Sequence, residues 1–475
     1  MEYRDKIEEY IDSHRQEMLD DIATLCRINS EKMPYKAGMP FGEGVCAALG
    51  QALAMGERYG FSVNNYDNYV GTVDLNDREA GLDILAHLDV VPAGEGWKVT
   101  EPFTPLEKDG KLYGRGTADD KGPAVAALYA MRAVKELGIP VSRNVRLILG
   151  TDEECGSSDI EHYYAVEKEA PMTFSPDANF PVINTEKGMF RGHFTAEWGK
   201  STALPRLCSL HAGIKVNVLP GKAEAVLQGV TAEELEAGMK ETEKAIGVRF
   251  EVEYSDYTPE KGDQMARVTA VGEGAHAAYP DDGNNALTGL IRLINRLPLV
   301  PCPQTEFLKK LESCFPHGDV RGEVLGIAME DEISGPLTLV FSMLEVTESG
   351  LEGWFDSRCP VCADEENVLK PVKAQMEKLG FAFLTDRMTP PHHVPGDSDF
   401  VQTLLRVYEE YTGRKGACES TGGGTYVHDL KNGVAFGAAM PETDNRMHGA
   451  DEFAVIDELL TSAKIFAQAI AELCR

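Results

Sequence analysis

Three segments between Leu82 and Gly150 constrain the fold of this chain more tightly than anything else in it. Residues 82–88 (LDILAHL) are an apolar run of strand length. Gly122-Pro123 then opens AVAALYAMRAVKELG, with proline as a helix-start signal and Gly138 as the stop. Residues 144–150 (NVRLILG) read as a second buried strand. Strand, helix and strand in this order predict a βαβ layer, hence an α/β fold whose sites are built by the loops that follow the strands.

At 475 residues the chain is too long for one ordinary core, so two domains are expected. Its formal net charge of −31 argues against nucleic acid and anionic membrane surfaces as partners. The opening MEYRDKIEEYIDSHRQEML lacks the apolar core of a signal peptide, and no apolar run approaches the roughly 18 residues that cross a bilayer. Cys359-Pro-Val-Cys362 is the only close pair among the ten cysteines, with no second CxxC and no thioredoxin-like surroundings. Reduced thiols in a cytoplasmic protein are expected. A thiol-based redox or zinc-storage role for that pair is the rival from a different class.

Spacings of three, four and seven predict a helix over 2–27, interrupted near Ser13-His14, and a second over 42–59 that stops at Gly60. From about 185 to 390 the texture changes. Strand-like runs at 190–196, 206–212, 222–228, 248–253, 265–271 and 337–347 alternate with helix candidates at 232–246, 284–297, 304–315 and 364–379. That mixture predicts an α+β insertion. Helical patterns at 398–411 and 455–474 return to the α/β texture.

The residues able to carry chemistry lie at strand ends and turns. His87 and Asp89 point to the same face of a strand. The imidazole can bind a divalent metal while the carboxylate takes its other N–H, although a simple hydrogen-bonded histidine reads the same way. Asp119, in GRGTADDKG before a helix, can bridge two cations or merely cap the helix. Glu153-Glu154 follow a buried strand. A metal could take one and leave the other to handle a proton, or both could be solvated loop acids. Asp177, in SPDANFP, and His448, in DNRMHGADE, sit in turns. Each residue alone has an ordinary structural explanation. Together they make the mixed nitrogen and oxygen set that two metals require, with one glutamate to spare. Two cations about 3.5–4 Å apart share a water and lower its pKa; a free carboxylate can then take its proton.

The motifs AHLDVVPAGEGW, YGRGTADDKGP, TDEECGSSD, SPDANFPVINTEKG, GGGTYVH and MHGADE follow one another over nearly the whole chain. In that order they resemble the PepV-type (Sapep-like) dipeptidases, a branch of the aminoacylase, carboxypeptidase and carnosinase-like dinuclear zinc metallopeptidases. The resemblance implies that His87 and Asp177 bind one zinc, that Glu154 and His448 bind the other, and that Asp119 bridges them. It assigns Glu153 as general base and Asp89 as the group that orients His87, and it implies a cis peptide between Asp119 and Asp120. Asn217, in GIKVNVLPG, and His276, in GEGAHAAYPDDGNNA, match residues that contact the scissile carbonyl and stabilise its oxyanion. Arg358, in FDSRCPV, matches an arginine that pairs with a substrate carboxylate. The Gly422, Gly423, Gly424 and Thr425 turn offers backbone N–H groups to the same carboxylate.

Asp177 and His448 fall on opposite sides of the change in texture. The expected architecture is therefore α/β, with a discontinuous catalytic domain (1–184 and 388–475) built on a central mixed sheet flanked by helices. Residues 185–387 form an inserted α+β lid. By the resemblance, a lid of that size supplies its own histidine, so the enzyme is expected to act as a monomer. The expected reaction is hydrolysis of unblocked dipeptides with a free N-terminal amine. An N-acyl-amino-acid deacylase or a metallocarboxypeptidase of the same family is the alternative. Zinc is the expected metal; manganese or cobalt also suits such a site.

Overall fold

The computed structural model describes residues 3–254 and 265–475. The chain forms two compact units, Met1–Thr185 with His393–Arg475 and Glu186–His392.

In the first unit the strands Ala80–His87 and Asn144–Gly150 run parallel, with His87 opposite Gly150. Met172–Ser175 pairs in parallel on the other side of Ala80–His87, and Gly433–Ala435 pairs in parallel with Met172–Ser175. Val70–Asp74 and Ser62–Tyr66 extend the sheet antiparallel, which makes it mixed. Every residue of Asn144–Gly150 is buried, as in a strand covered on both faces. The arginine in that run is accommodated because Arg146 stands opposite Asp83 and grips it with two hydrogen bonds of 2.9 and 2.8 Å. This pairing leaves neither charge alone in the core.

The connecting helix is Lys121–Glu136, nearly all of it buried. It begins before the proline signal, so Pro123 occupies its third position. The missing N–H costs nothing there, because the first four have no intrahelical partner. Ile456–Leu473 packs along this helix, and Asp399–Thr412 and Arg4–Ser13 pack on Ile456–Leu473. The helix expected over 2–27, whose first residue lies outside the described residues, is two helices, Arg4–Ser13 and Arg15–Cys26. They break at His14, whose ring stacks on Tyr10.

The second unit is built on one antiparallel sheet. Its order is Arg249–Tyr254, Met265–Val271, Lys222–Gln228, Arg206–Ala212, Thr338–Val346, Gly350–Cys359, Gly188–Glu197 and Ala382–Phe383. The helices Ala286–Ile294 and Pro303–Cys314 contribute to its core. Gly350–Cys359 is a strand that the sequence patterns did not single out, and it carries Arg358. No helix among the described residues is long and apolar enough to cross a membrane.

Candidate metal centre

Three neighbouring parallel strands of the first unit deliver functional side chains at their carboxyl ends. His87 closes Ala80–His87, Glu153 and Glu154 follow Asn144–Gly150, and Asp177 follows Met172–Ser175. Sheets of this kind expose their sites at such ends. Asp119 stands just before the buried helix, and the Asp119–Asp120 peptide is cis, as the resemblance implied. His448 arrives from the segment ahead of the last helix with φ 64°, a left-handed backbone that non-glycine residues seldom adopt.

These side chains converge around Asp119. One of its carboxylate oxygens, Oδ1, lies 3.0 Å from His87 Nε2, which is itself 3.5 Å from Asp177 Oδ2. The other, Oδ2, lies 2.9 Å from His448 Nε2, which is 3.3 Å from Glu154 Oε1. Within each trio, His87 with Asp119 and Asp177 and Asp119 with Glu154 and His448, the ligand atoms all lie within 4.8 Å of one another. Asp119 thus belongs to both trios, one oxygen to each.

The electrostatics of the cluster favour cations. Glu153 is pushed well above the usual carboxylate range, first by burial and then by the charges of Asp177, Glu154 and Asp119. Glu154 and Asp177 are raised as well, again chiefly by burial. Burial pulls His87 down, but hydrogen bonds to Asp119, Asp177 and Asp89 outweigh it and leave its pKa well above normal. His448 is raised to about 10 by the carboxylates beside it, Asp119 first and then Glu154. Buried acids at this density need positive charge beside them. Glu154 Oε1 is buried and lacks a hydrogen-bond partner of acceptable geometry, despite its closeness to His448. Such an orphaned oxygen, in a cluster that holds two imidazoles and further carboxylates, fits a pair of divalent cations with mixed nitrogen and oxygen ligands.

Asp89 does more than face His87. His87 Nδ1 lies 3.0 Å from the Asp89 backbone carbonyl and 3.4 Å from its Oδ1. The Asp89 carboxylate also accepts the backbone N–H of Glu153 on Oδ1 and that of Glu154 on Oδ2, both at 3.2 Å. It therefore fixes the peptide that carries both glutamates. Glu452 was likewise not anticipated. It is buried, pairs with Arg115, and accepts the N–H groups of Gly116, Ala118 and Asp119. MHGADE quoted it, but nothing local in the sequence separates a loop acid from one that braces the Asp119 loop.

Asn217, His276 and Arg358 belong to the second unit, where the fold brings them together. Val218 pairs with His276 in a short antiparallel ladder, and the Ala277 N–H donates to the Asn217 carbonyl at 2.9 Å. Thr338, directly across the sheet from Arg358, donates its hydroxyl to the Ala277 carbonyl at 2.9 Å. His276 Nδ1 accepts from the Ala278 N–H, so the proton of the neutral ring sits on Nε2. Burial and then the Arg358 charge hold its pKa low. Arg358 is 2% exposed and grips Asp356 through Nε at 2.6 Å and Nη2 at 3.2 Å. In the first unit, the glycine turn lies just ahead of the short helix Tyr426–Asp429, which Thr425 caps. The Gly423 N–H already donates to Thr421 Oγ1 at 3.1 Å. Cys359 is buried at the end of its strand and Cys362 is exposed, both as free thiols.

A family model described as Peptidase family M20/M25/M40 matches residues 84–472. The chain belongs to this peptidase family. "Putative dipeptidase YtjP" of Bacillus subtilis (strain 168) is 36% identical over 466 residues, covering 97% of this chain and 98% of that protein. "Beta-Ala-Xaa dipeptidase" of Lactobacillus delbrueckii subsp. lactis is 33% identical over 476 residues, covering 98% of each. The crystal structure of human carnosine dipeptidase 1 shares the fold, with a TM-score of 0.60 at 16% identity over 99% of both chains. The family resemblance read from the motifs is thereby borne out, and so is the α/β architecture. The chain is a metallopeptidase of the M20 family.

Proposed function

We propose that this M20 peptidase hydrolyses unblocked dipeptides at the Asp119-centred cluster, with Glu153 as the base. The observation that carries the proposal is the division of Asp119, one oxygen facing His87 and Asp177 and the other facing Glu154 and His448. That division leaves Glu153 without a place in either trio. The relatives that match nearly end to end are named as dipeptidases, which supports dipeptides over N-acyl amino acids.

His87, Asp119 and Asp177 would hold one divalent ion, and Asp119, Glu154 and His448 the other, with zinc as the proposed metal and manganese or cobalt as substitutes. When bound, such a pair supplies Lewis acidity and a water of lowered pKa. Glu153 takes a proton from the attacking water and hands it to the departing amine nitrogen. Its position is set by Asp89, which holds the Glu153 and Glu154 amides. We assign His276 and Asn217 to the carbonyl oxygen of the scissile bond; the Nε2–H tautomer of His276 suits a donor to a developing oxyanion. Arg358 and the Gly422, Gly423, Gly424 and Thr425 turn are assigned to the substrate carboxylate. On these assignments Met1–Thr185 with His393–Arg475 is the catalytic domain and Glu186–His392 is the lid. A lid carrying its own His276 supports a monomer, and ten free thiols support a cytoplasmic location.

The test is a metal-supplemented screen of free dipeptides, tripeptides and N-acyl amino acids, run with wild type and Glu153→Ala. Free dipeptides should be cleaved far faster than either other class. Glu153→Ala should keep its metal and fold while kcat drops by roughly 10²–10⁴-fold. A wild-type rate in that variant, or preference for N-acyl substrates, would refute the proposal.

A further inference from the structure

Behind the proposed base, four successive backbone N–H groups are held by two buried carboxylates. Asp89 takes those of Glu153 and Glu154. Asp159 takes those of Thr151 at 2.5 Å and Asp152 at 3.0 Å, both on Oδ2. The same Oδ2 accepts the hydroxyl of Tyr426 at 2.5 Å. Asp159 and Tyr426 are almost completely buried, and the Tyr426 ring meets His87 edge-on with centroids 6.3 Å apart. The strand end beneath them is glycine for a steric reason. A Cβ at Gly150 would come within 2.2 Å of the Tyr426 hydroxyl and 2.7 Å of Asp159 Oδ2.

We propose that Asp159 and Tyr426 are positioning residues for the hydrolytic reaction. Through the Thr151 and Asp152 amides they set where the adjoining Glu153 stands, and through Tyr426 they tie that segment to the glycine turn directly before it. The physical case has two parts. A buried carboxylate that accepts two backbone N–H groups and a phenol is a stiff anchor, because each bond is charge-assisted and made in a low-dielectric interior. A base must be held within a fraction of an ångström of its proton, and a misplacement of about 1 Å costs on the order of 100-fold. Both act through the segment they hold, and Tyr426 also through its edge-on contact with His87.

The inference rests on Glu153 being the base, and the experiment separates the two claims. Tyr426→Phe removes one hydroxyl and keeps the ring; Asp159→Asn keeps the shape and removes the charge. Hydrogen exchange of the Thr151 and Asp152 amides should accelerate at least about tenfold in both variants, while exchange in the rest of the chain, metal content and melting temperature stay near wild type. In the same proteins kcat for a free dipeptide should fall about 10–100-fold, with KM changed less than about twofold, since the loss is confined to the reacting geometry. Unchanged exchange, loosening spread over the whole chain, unchanged kcat, or a loss confined to KM would each overturn the proposal. If Glu153→Ala proves active, the base assignment fails, yet the exchange result still decides whether Asp159 and Tyr426 anchor the segment.

Discussion

In the first unit, acids crowd at the ends of parallel strands. In the second, Arg358, His276 and Asn217 gather beside an antiparallel sheet. Burial, with the neighbouring carboxylates, raises the pKa of Glu153, Glu154 and Asp177 in the first cluster, which calls for cations. The second places a guanidinium near an imidazole whose pKa is lowered by desolvation first and by that charge second, and so presents neutral and positive donors. A peptide in hydrolysis needs both kinds of surface, one for the water and one for the oxygen on which charge develops. The difference teaches that damage to the two clusters should be distinguishable. Lesions in the first should cost metal, and lesions in the second should cost rate or affinity with metal retained.

The largest effect is expected from Asp119→Ala. Asp119 is the residue common to both trios, so its loss leaves each prospective metal with two side chains. Affinity for both ions should fall by more than about 100-fold, beyond what loss of an outer-sphere partner causes, and hydrolysis should vanish with it. Metal titration followed calorimetrically checks this. A variant that still binds two ions at wild-type affinity would break the assignment of Asp119 as the bridge. His276→Ala comes next. It should keep both metals and lose roughly 10²–10³-fold in kcat, the usual effect of deleting one oxyanion donor. Coincident loss of metal would place His276 among the ligands instead and erase the contrast between the units.

How much of this was legible in the sequence depended on how locally each residue's task is written. His87, Asp119, Glu153, Glu154, Asp177 and His448 could be named because each closes a strand or sits in a short Gly- or Pro-punctuated turn after a strand or before a helix. The unusual residue type is visible there against its neighbours. Gly350–Cys359 could not be found that way. Its residues Asp356, Ser357 and Arg358 are polar and buried, so the strand lacks the apolar alternation that marks one. The burial is explained only by partners, Arg358 and Arg191 both bonding to Asp356. The extra tasks of Asp89 and the Asp159–Tyr426 bond are also contacts between residues far apart in the chain. No spacing rule brings them together; the parallel order of the strands does.

The smallest and most specific effect is expected from Arg358→Lys. The side chain is buried and held by Asp356 through two N–H directions, so its guanidinium plane is fixed. Lysine keeps the charge, which avoids stranding Asp356 unpaired in the interior, but it has no planar fork with which to meet a carboxylate. If Arg358 recognises the substrate's C-terminal carboxylate, KM for a free dipeptide should rise about tenfold, the scale of one charge-assisted hydrogen bond, with kcat little changed. The sharper reading comes from the same dipeptide as its C-terminal amide. Wild type should discriminate strongly against the amide, and the variant should lose much of that discrimination, because the lost interaction is one the amide never made. Equal loss on both substrates would mean that Arg358 braces the sheet through Asp356, and the anion-binding role of the second cluster would then rest on His276 and Asn217 alone.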